Sequence, residues 1–168
     1  MQLAKIISAL PSAPVTVKGP ADREITSLTH DSRQATPGCL FVALPSVTPG
    51  RTGEAAGGGV NFILEAVERG AAAVITSADL EAPRATMIRV EDPRLALSAA
   101  AAVFYGHPSL QLQTAAITGT NGKTTVSFLL KHLLDVAERP CGLIGTVRYV
   151  VGPRELPASR TTPEADEV

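Results

Sequence analysis

The sequence has few cysteines, almost no net charge and no long apolar run. Its 15 Lys and Arg residues are balanced by 16 Asp and Glu residues, which gives a formal net charge of -1. This balance provides no broad positive field of the kind that draws a protein onto nucleic acid or an anionic membrane. No apolar run reaches the roughly 18 residues that a membrane-spanning helix needs, and the first ten residues lack the apolar segment of a signal peptide. We therefore expect a cytoplasmic protein that binds neither nucleic acid nor membranes.

The two cysteines, Cys39 and Cys141, are far apart in the sequence, and each lies in an apolar run. Buried reduced thiols commonly occur in such surroundings. No Cys or second His stands at helical spacing from His132, and the sequence contains no zinc-binding pattern. We therefore predict two buried free thiols, a solvated His132 and no zinc site.

The apolar content is sufficient for a folded core, since 45% of the residues are hydrophobic and 18% are charged. Short β-branched runs alternate with longer stretches of helical period, which is typical of parallel strands joined by crossover helices. This pattern predicts an α/β fold. The predicted strands cover 25–28, 39–44, 71–76, 86–90, 114–118 and 142–147. The predicted helices cover 3–10, 62–69, 94–105 and 123–138, the last with one buried face formed by Val126, Leu129, Leu130, Leu133, Leu134 and Ala137.

A helix stop signal predicts a domain boundary near residue 108, because Gly106 is followed by Pro108. Residues 1–108 contain about four strands and three helices, whereas 109–168 contain only the beginning of a second strand-loop-helix unit. That second unit is expected to be incomplete, because two strands are rarely stable by themselves. The Gly-rich stretch 49–59 is predicted to be a surface loop, with a second phosphate-binding loop as the less favoured alternative.

The strongest functional signal is a glycine-containing loop, 119–124, between the predicted strand 114–118 and the amphipathic helix. Glycines let successive N–H groups point at phosphate oxygens, and the helix N-terminus adds a favourable dipole. Lys123 can reach the β and γ phosphates of a nucleoside triphosphate, and the Thr124 hydroxyl is suited to Mg²⁺. The sequence therefore predicts an ATP-binding loop, with Lys123 as the catalytic cation. Its residues are Gly119, Thr120, Asn121, Gly122, Lys123, Thr124 and Thr125.

This loop is shorter than the common Gly-x-x-x-x-Gly-Lys-Ser/Thr pattern. The alternative interpretation is a glycine turn that only caps a helix and leaves Lys123 solvated. The context of the motif favours phosphate binding, because Gly-Lys and Thr-Thr stand together between a strand and a helix.

The segment Thr-Gly-Thr-Asn-Gly-Lys-Thr-Thr at 118–125 resembles the loop of the Mur ligases, ATP-dependent amide-forming enzymes of peptidoglycan precursor synthesis, and of the related folylpolyglutamate synthases. The Asp-Ser-Arg at 31–33 and the segments 37–44 and 70–74 resemble the N-terminal domain of the third and fourth ligases of that pathway. The segments 142–147 and 161–165, the latter with Thr-Thr-Pro, resemble the third. The resemblance covers nearly the whole chain and implies a UDP-binding domain, 1–108, followed by the start of a P-loop ATPase domain, 109–168.

The resemblance also implies the substrates and the site residues. It assigns Ser32 to the UDP part of a UDP-muramoyl dipeptide, and Thr161 and Thr162 to its muramoyl-peptide part. Ser32 is equally well explained as a turn cap in Asp-Ser-Arg. The region 45–59 is longer than usual and lacks Asp, which leaves nucleotide contacts by Val47, Thr48 and Pro49 unsupported, and Arg160 stands where Asn is common.

By resemblance, the whole enzyme forms an acyl phosphate on the D-glutamyl carboxylate with ATP and Mg²⁺, and the amine of meso-diaminopimelate or L-lysine then attacks it. The full-length protein is expected to be a monomer. This chain resembles an N-terminal fragment, so we expect little or no ligase activity from it alone. The alternatives are a non-catalytic module that binds a UDP-sugar peptide or a nucleotide, and, less favoured, a small-molecule kinase.

Overall fold

The computed structural model describes residues 1–45, 58–158 and 163–167. They form two compact units, Met1–Gln111 and Leu112–Val168. Among the described residues, no helix combines the length and the apolar character needed to cross a bilayer.

The first unit is a five-stranded mixed sheet with three α-helices. Its strands are β1 (Thr16–Lys18), β2 (Ser27–Thr29), β3 (Cys39–Val42), β4 (Ala73–Thr76) and β5 (Thr86–Arg89). Their order across the sheet is β1-β5-β4-β3-β2, and only the β1–β5 pair is antiparallel. The helices are α1 (Leu3–Ser8), α2 (Ile63–Glu68) and α3 (Pro93–Phe104). The predicted α/β fold is confirmed for this unit.

The central strands are buried on both faces. Every residue of β3 and β4 is buried, which explains why both segments read as continuous apolar runs. Phe41, Val74 and Met87 pack with Ile63 and Ala66 of α2 in one core cluster. Neighbouring strand residues point to the opposite face of the sheet, where α3 contacts β4 and α1. The sheet is therefore covered by helices on both sides.

The start of α3 follows directly from its sequence. The Asp92 carboxylate accepts hydrogen bonds from the backbone N–H groups of Arg94 and Leu95 at 2.9 and 3.0 Å. Pro93 occupies the first helical position, where a missing N–H costs nothing. The helix therefore begins one residue before the predicted start at 94.

The second unit contains the helix α4 (Lys123–Val136) and a three-stranded antiparallel sheet. Its strands are β6 (Leu143–Ile144), β7 (Arg148–Val151) and β8 (Arg154–Pro157), in the order β6-β7-β8. The strands β7 and β8 form a hairpin whose two-residue connection starts at Gly152, with a φ of 57°. Such short hairpins require a positive φ at this position, which glycine adopts without strain. The predicted strands end at residue 147, so neither β7 nor β8 was predicted from the sequence.

Two strand predictions in this unit were also wrong. Residues 114–118 form no strand, since no strand among the described residues pairs with them and most of their side chains are exposed. The predicted strand 142–147 shortens to Leu143–Ile144 and pairs antiparallel with β7. A strand needs a hydrogen-bonded partner strand. Of residues 142–147, only Leu143 and Ile144 pair with another strand among the described residues.

The helix α4 does not bury the face that its period predicted. Val126, Leu129 and Leu133 are 49%, 58% and 64% exposed, and only the Leu130 and Leu134 side of the helix is partly covered. The small sheet offers too little surface to cover the whole apolar stripe. The period correctly predicted the helix, but its apolar stripe lacks a cover in the described chain.

Candidate functional site

The loop before α4 contains two glycines with positive φ angles. Gly119 and Gly122 have φ angles of 148° and 78°, a region that side chains disfavour. Gly122 precedes the helix, and no side chain of the described residues caps the helix start. The first regular helical bond runs from the Val126 N–H to the Gly122 oxygen at 2.9 Å. The preceding N–H groups therefore lie at the positive end of a 14-residue helix, where anions bind favourably.

The Lys123 ammonium group lies over this loop. Its Nζ donates to the backbone oxygen of Gly119 at 2.6 Å and to that of Thr120 at 3.4 Å. The ammonium group has three N–H donors, so these contacts leave one for another acceptor. A cation is thus held beside the helix N-terminus, and the helical context favours the phosphate-binding interpretation over a simple cap.

A second hydroxyl group lies near the predicted magnesium ligand. The Oγ1 atoms of Thr124 and Thr146 are 3.4 Å apart, although the two residues are 22 positions apart in the chain. Mg²⁺ prefers hard oxygen ligands and usually keeps several waters besides phosphate oxygens. Two hydroxyl oxygens beside the predicted phosphate-binding loop fit that preference. Sequence reasoning missed Thr146, although its position shortly after a strand of this unit was a usable signal.

The loop residues lie together as expected from their sequence. The side chains of Thr120, Asn121 and Thr125 are exposed and the Thr124 side chain is half-buried. Binding of ATP and Mg²⁺ by this loop stays a prediction.

The hydroxyl of Ser32 is part of a polar network in the first unit. Asp31, Ser32 and Arg33 lie at a short 3-10 turn, Ser32–Gln34. The Ser32 Oγ donates to Glu65 Oε2 of α2 at 2.7 Å, while Glu65 Oε1 lies 3.1 Å from Arg69 Nη2. Arg69 also donates to the backbone oxygen of Arg33 at 3.3 Å. The network ties the Asp-Ser-Arg turn to α2, and Ser32 itself is only 6% exposed.

The Asp31 carboxylate stabilises the same turn. It accepts from the backbone N–H of Arg33 at 3.0 Å and from the Arg33 guanidinium at 2.7 to 3.2 Å. Hydrogen bonding to Arg33 lowers the pKa of Asp31 from 3.8 to about 2. Asp31 therefore stays ionised at neutral pH and holds the Ser32 backbone in place. Both roles considered for Ser32, turn residue and ligand contact, are compatible with this geometry.

Several predicted site residues lie outside the described residues. These are Thr161 and Thr162, together with Arg160, Val47, Thr48, Pro49 and most of the Gly-rich stretch 49–59. Their expected roles stay predictions.

The cysteines and His132 are described by the structure. Cys39 is a buried free thiol, and its burial raises its pKa. Cys141 is also free but only partly buried, contrary to prediction, because the adjoining predicted strand forms only in part. His132 is exposed, as expected. Within the described ranges, no three His, Cys, Asp or Glu side chains cluster in a way that could hold a metal ion.

Glu65 is a polar partner that the sequence did not reveal. It lies 33 residues after Ser32, and nothing in a helix repeat indicates which surface carboxylate will face a turn so far away in the chain. Only the packing of α2 beside the 3-10 turn brings the two side chains together.

The chain is similar to a group of ligases over almost its full length. Residues 117–168 match the family model described as the Mur ligase middle domain. The chain is 43% identical over 156 residues to the UDP-N-acetylmuramoyl-L-alanyl-D-glutamate--2,6-diaminopimelate ligase of Geobacter sulfurreducens. This alignment covers 92% of this chain and 29% of the relative. The chain is also 40% identical over 168 residues to the ligase of that name from Solibacter usitatus, covering 98% of this chain and 32% of the relative.

Solved structures agree with these relatives. One match is a structure of a UDP-N-acetylmuramoyl-L-alanyl-D-glutamate--2,6-diaminopimelate ligase, with a TM-score of 0.68 and 25% sequence identity. The match covers 99% of this chain and 31% of the chain in that structure. Another match is a structure of MurF from Acinetobacter baumannii, with a TM-score of 0.52 and 28% sequence identity. This match covers 80% of this chain and 26% of the MurF chain. The chain therefore spans about a third of the length of the relatives it matches.

Proposed function

Because this chain belongs to the Mur ligase family, we propose that it is the UDP-binding and nucleotide-binding portion of an ATP-dependent amide ligase of peptidoglycan precursor synthesis. The proposed reaction adds meso-diaminopimelate or L-lysine to UDP-N-acetylmuramoyl-L-alanyl-D-glutamate. In this assignment residues 1–108 bind the UDP part of the substrate, and 109–168 begin the ATPase domain. A cytoplasmic location and a monomeric full-length protein stay predictions.

The observation that supports this proposal most is the loop 119–125 at the start of α4. Its backbone N–H groups and Lys123 would bind the triphosphate, and the hydroxyl of Thr124 would hold Mg²⁺ against the phosphates. Mg²⁺ would neutralise charge on the γ phosphate. Lys123 would stabilise the negative charge that builds up as the phosphoryl group moves to the glutamyl carboxylate of the substrate.

Catalysis by the chain on its own is not expected, because it spans only about a third of its relatives. The ligase role is therefore tested in a chimera of the Geobacter sulfurreducens ligase whose matched segment is replaced by this chain. The chimera should form ADP only when UDP-muramoyl dipeptide and diaminopimelate or L-lysine are both present. The same chimera with Lys123→Ala should bind the dipeptide substrate but release little ADP. A folded chimera without amino-acid-dependent ADP release would contradict the proposal.

The second candidate function is a binding module without chemistry. Ser32 in its polar network could hold a UDP-sugar peptide whether or not ATP binds elsewhere. Calorimetry on the chain separates the two functions. Binding of both MgATP and UDP supports the ligase portion, whereas binding of UDP without MgATP supports the module.

A further inference from the structure

The Ser32 hydroxyl has its proton committed to Glu65. The Oγ to Oε2 distance of 2.7 Å is that of a good O–H···O hydrogen bond, in which the hydroxyl donates and the carboxylate oxygen accepts. Ser32 must therefore be the donor in this pair. The hydroxyl has no second proton, so toward a ligand it can act only as an acceptor.

Glu65 is held in this orientation from its other side. Its Oε1 faces the guanidinium of Arg69, so each carboxylate oxygen has one partner. Arg69 is anchored in turn to the backbone oxygen of Arg33. Rotation of the Glu65 carboxylate would break both contacts, and the direction of the Ser32 proton is fixed by the network as a whole.

We propose that Glu65 is a positioning residue that makes Ser32 selective for a hydrogen-bond donor of the nucleoside. This inference rests on the proposed function, in which Ser32 contacts the UDP part of the substrate. Within UDP the donors are the uracil N3–H and the ribose hydroxyls, whereas the ionised diphosphate offers only acceptors. A phosphate oxygen facing Ser32 would meet a lone pair and be rejected. Ser32 therefore reads the uridine end of the ligand rather than its diphosphate.

The test is calorimetry of the chain with UDP and with analogues that each lack one donor: N3-methyl-UDP, 2′-deoxy-UDP and 3′-deoxy-UDP. The measured quantity is the ratio of the analogue Kd to the UDP Kd. In the unmodified chain, one analogue should bind about tenfold more weakly than UDP, the usual effect of one lost hydrogen bond. The analogue that binds more weakly identifies the group of UDP that donates to Ser32: the uracil N3–H or one of the ribose hydroxyls.

Substitutions then locate the origin of the selectivity. Ser32→Ala should bring the ratio close to one. Glu65→Ala should lower the ratio only in part, because the freed hydroxyl can still accept a hydrogen bond but is no longer held in place or polarised by the carboxylate. Combining the two should lower the ratio no further than Ser32→Ala alone. Glu68→Gln, an exposed carboxylate on the same helix, is the matched control and should leave the ratio unchanged. If Glu65→Ala fails to fold by circular dichroism, Glu65→Gln replaces it, since a single amide oxygen cannot serve both Ser32 and Arg69.

The outcomes distinguish this inference from the proposed function. A chain that does not bind UDP at all overturns the assignment of residues 1–108, and the role of Glu65 with it. A chain that binds UDP with equal affinity for all analogues overturns only the inference. So does a Glu65→Ala variant that weakens every ligand equally and keeps the ratio, because that is the result of a purely structural contact.

Discussion

The Nζ atom of Lys123 donates a hydrogen bond to the backbone oxygen of Gly119 over a distance of 2.6 Å. This contact places the only charged side chain of the loop 119–125 beside the N-terminus of α4, which no side chain of the described residues caps. The Lys123→Met substitution removes the charge and keeps most of the apolar stem. We expect it to weaken MgATP binding by about 10- to 100-fold, the usual effect of losing a hydrogen bond to a charged group. Calorimetry with MgATP measures this change.

Lys131 is the matched control for Lys123, because it lies on the same helix and pairs with Asp135 at 2.7 Å. Lys131→Met should leave MgATP affinity within about twofold, since Lys131 lies about two helical turns beyond Lys123 and its charge is paired with Asp135. Equal losses in the two variants would mean that the nucleotide binds elsewhere or through nonspecific charge.

The second prediction concerns the ion pair of Asp31 and Arg33. Because the folded-state pKa of Asp31 is lowered to about 2, its contribution to stability is complete above about pH 4 and disappears as the pH falls through about 2. Asp31→Asn keeps an oxygen for the turn but removes the charge. It should lower the free energy of unfolding by about 1 kcal/mol at pH 7, a modest value because Arg33 is exposed. Urea unfolding at pH 7, 4 and 2 should show this deficit shrinking at the lowest pH.

Asp22→Asn is the control for this pH dependence, because Asp22 is an exposed carboxylate in the same unit. Its unfolding free energy should match that of the unmodified chain at all three pH values. A deficit in Asp31→Asn that stays constant down to pH 2 would contradict the proposed electrostatic origin.

The third prediction compares two glycines with positive φ. Gly70 has a φ of 102°, and a Cβ there would lie 2.9 Å from the backbone Cα of Pro37. Gly106 has a φ of 76° and nothing within 4 Å of the same added atom. Gly106→Ala should therefore lower the free energy of unfolding by only about 1 kcal/mol, the cost of placing alanine in a left-handed backbone conformation. In Gly70→Ala the added methyl group also clashes with the Pro37 backbone, so the free energy of unfolding in urea should fall by about 3 kcal/mol or more. Similar losses of unfolding free energy in the two variants would show that the Pro37 segment can move away from the added methyl group at little energetic cost.

Local sequence signals predicted the parts of the fold that local interactions determine. Asp92 and Pro93 define the start of α3 through contacts within three residues, and β3 and β4 are buried apolar runs, as expected for central strands. The start of α4 at Lys123, directly after Gly122 with its positive φ, was similarly readable, because glycine acts on its own stretch of backbone. These features needed no information about distant parts of the sequence.

Features that depend on distant partners could not be read in this way. Residues 114–118 have the composition of a strand, but a strand exists only where another strand pairs with it. The contact of Ser32 with Glu65 and that of Thr124 with Thr146 join positions 33 and 22 residues apart. The β7–β8 hairpin is different, because its Gly152-Pro153 turn is a local signal in the sequence.

The last prediction concerns the two longest helices, which differ in burial rather than in length. The 12-residue α3 buries six residues, Pro93, Ala96, Leu97, Ala100, Ala101 and Val103, whereas no residue of the 14-residue α4 is buried. Short helices are marginal in water and are stabilised mainly by packing. The amides of α4 should therefore be protected from hydrogen exchange at least about tenfold less than those of α3, since local opening of α4 exposes little new apolar surface. Equal protection would mean that the apolar stripe of Val126, Leu129 and Leu133 is covered in solution. Sedimentation of the same sample would then show whether a second copy provides the cover.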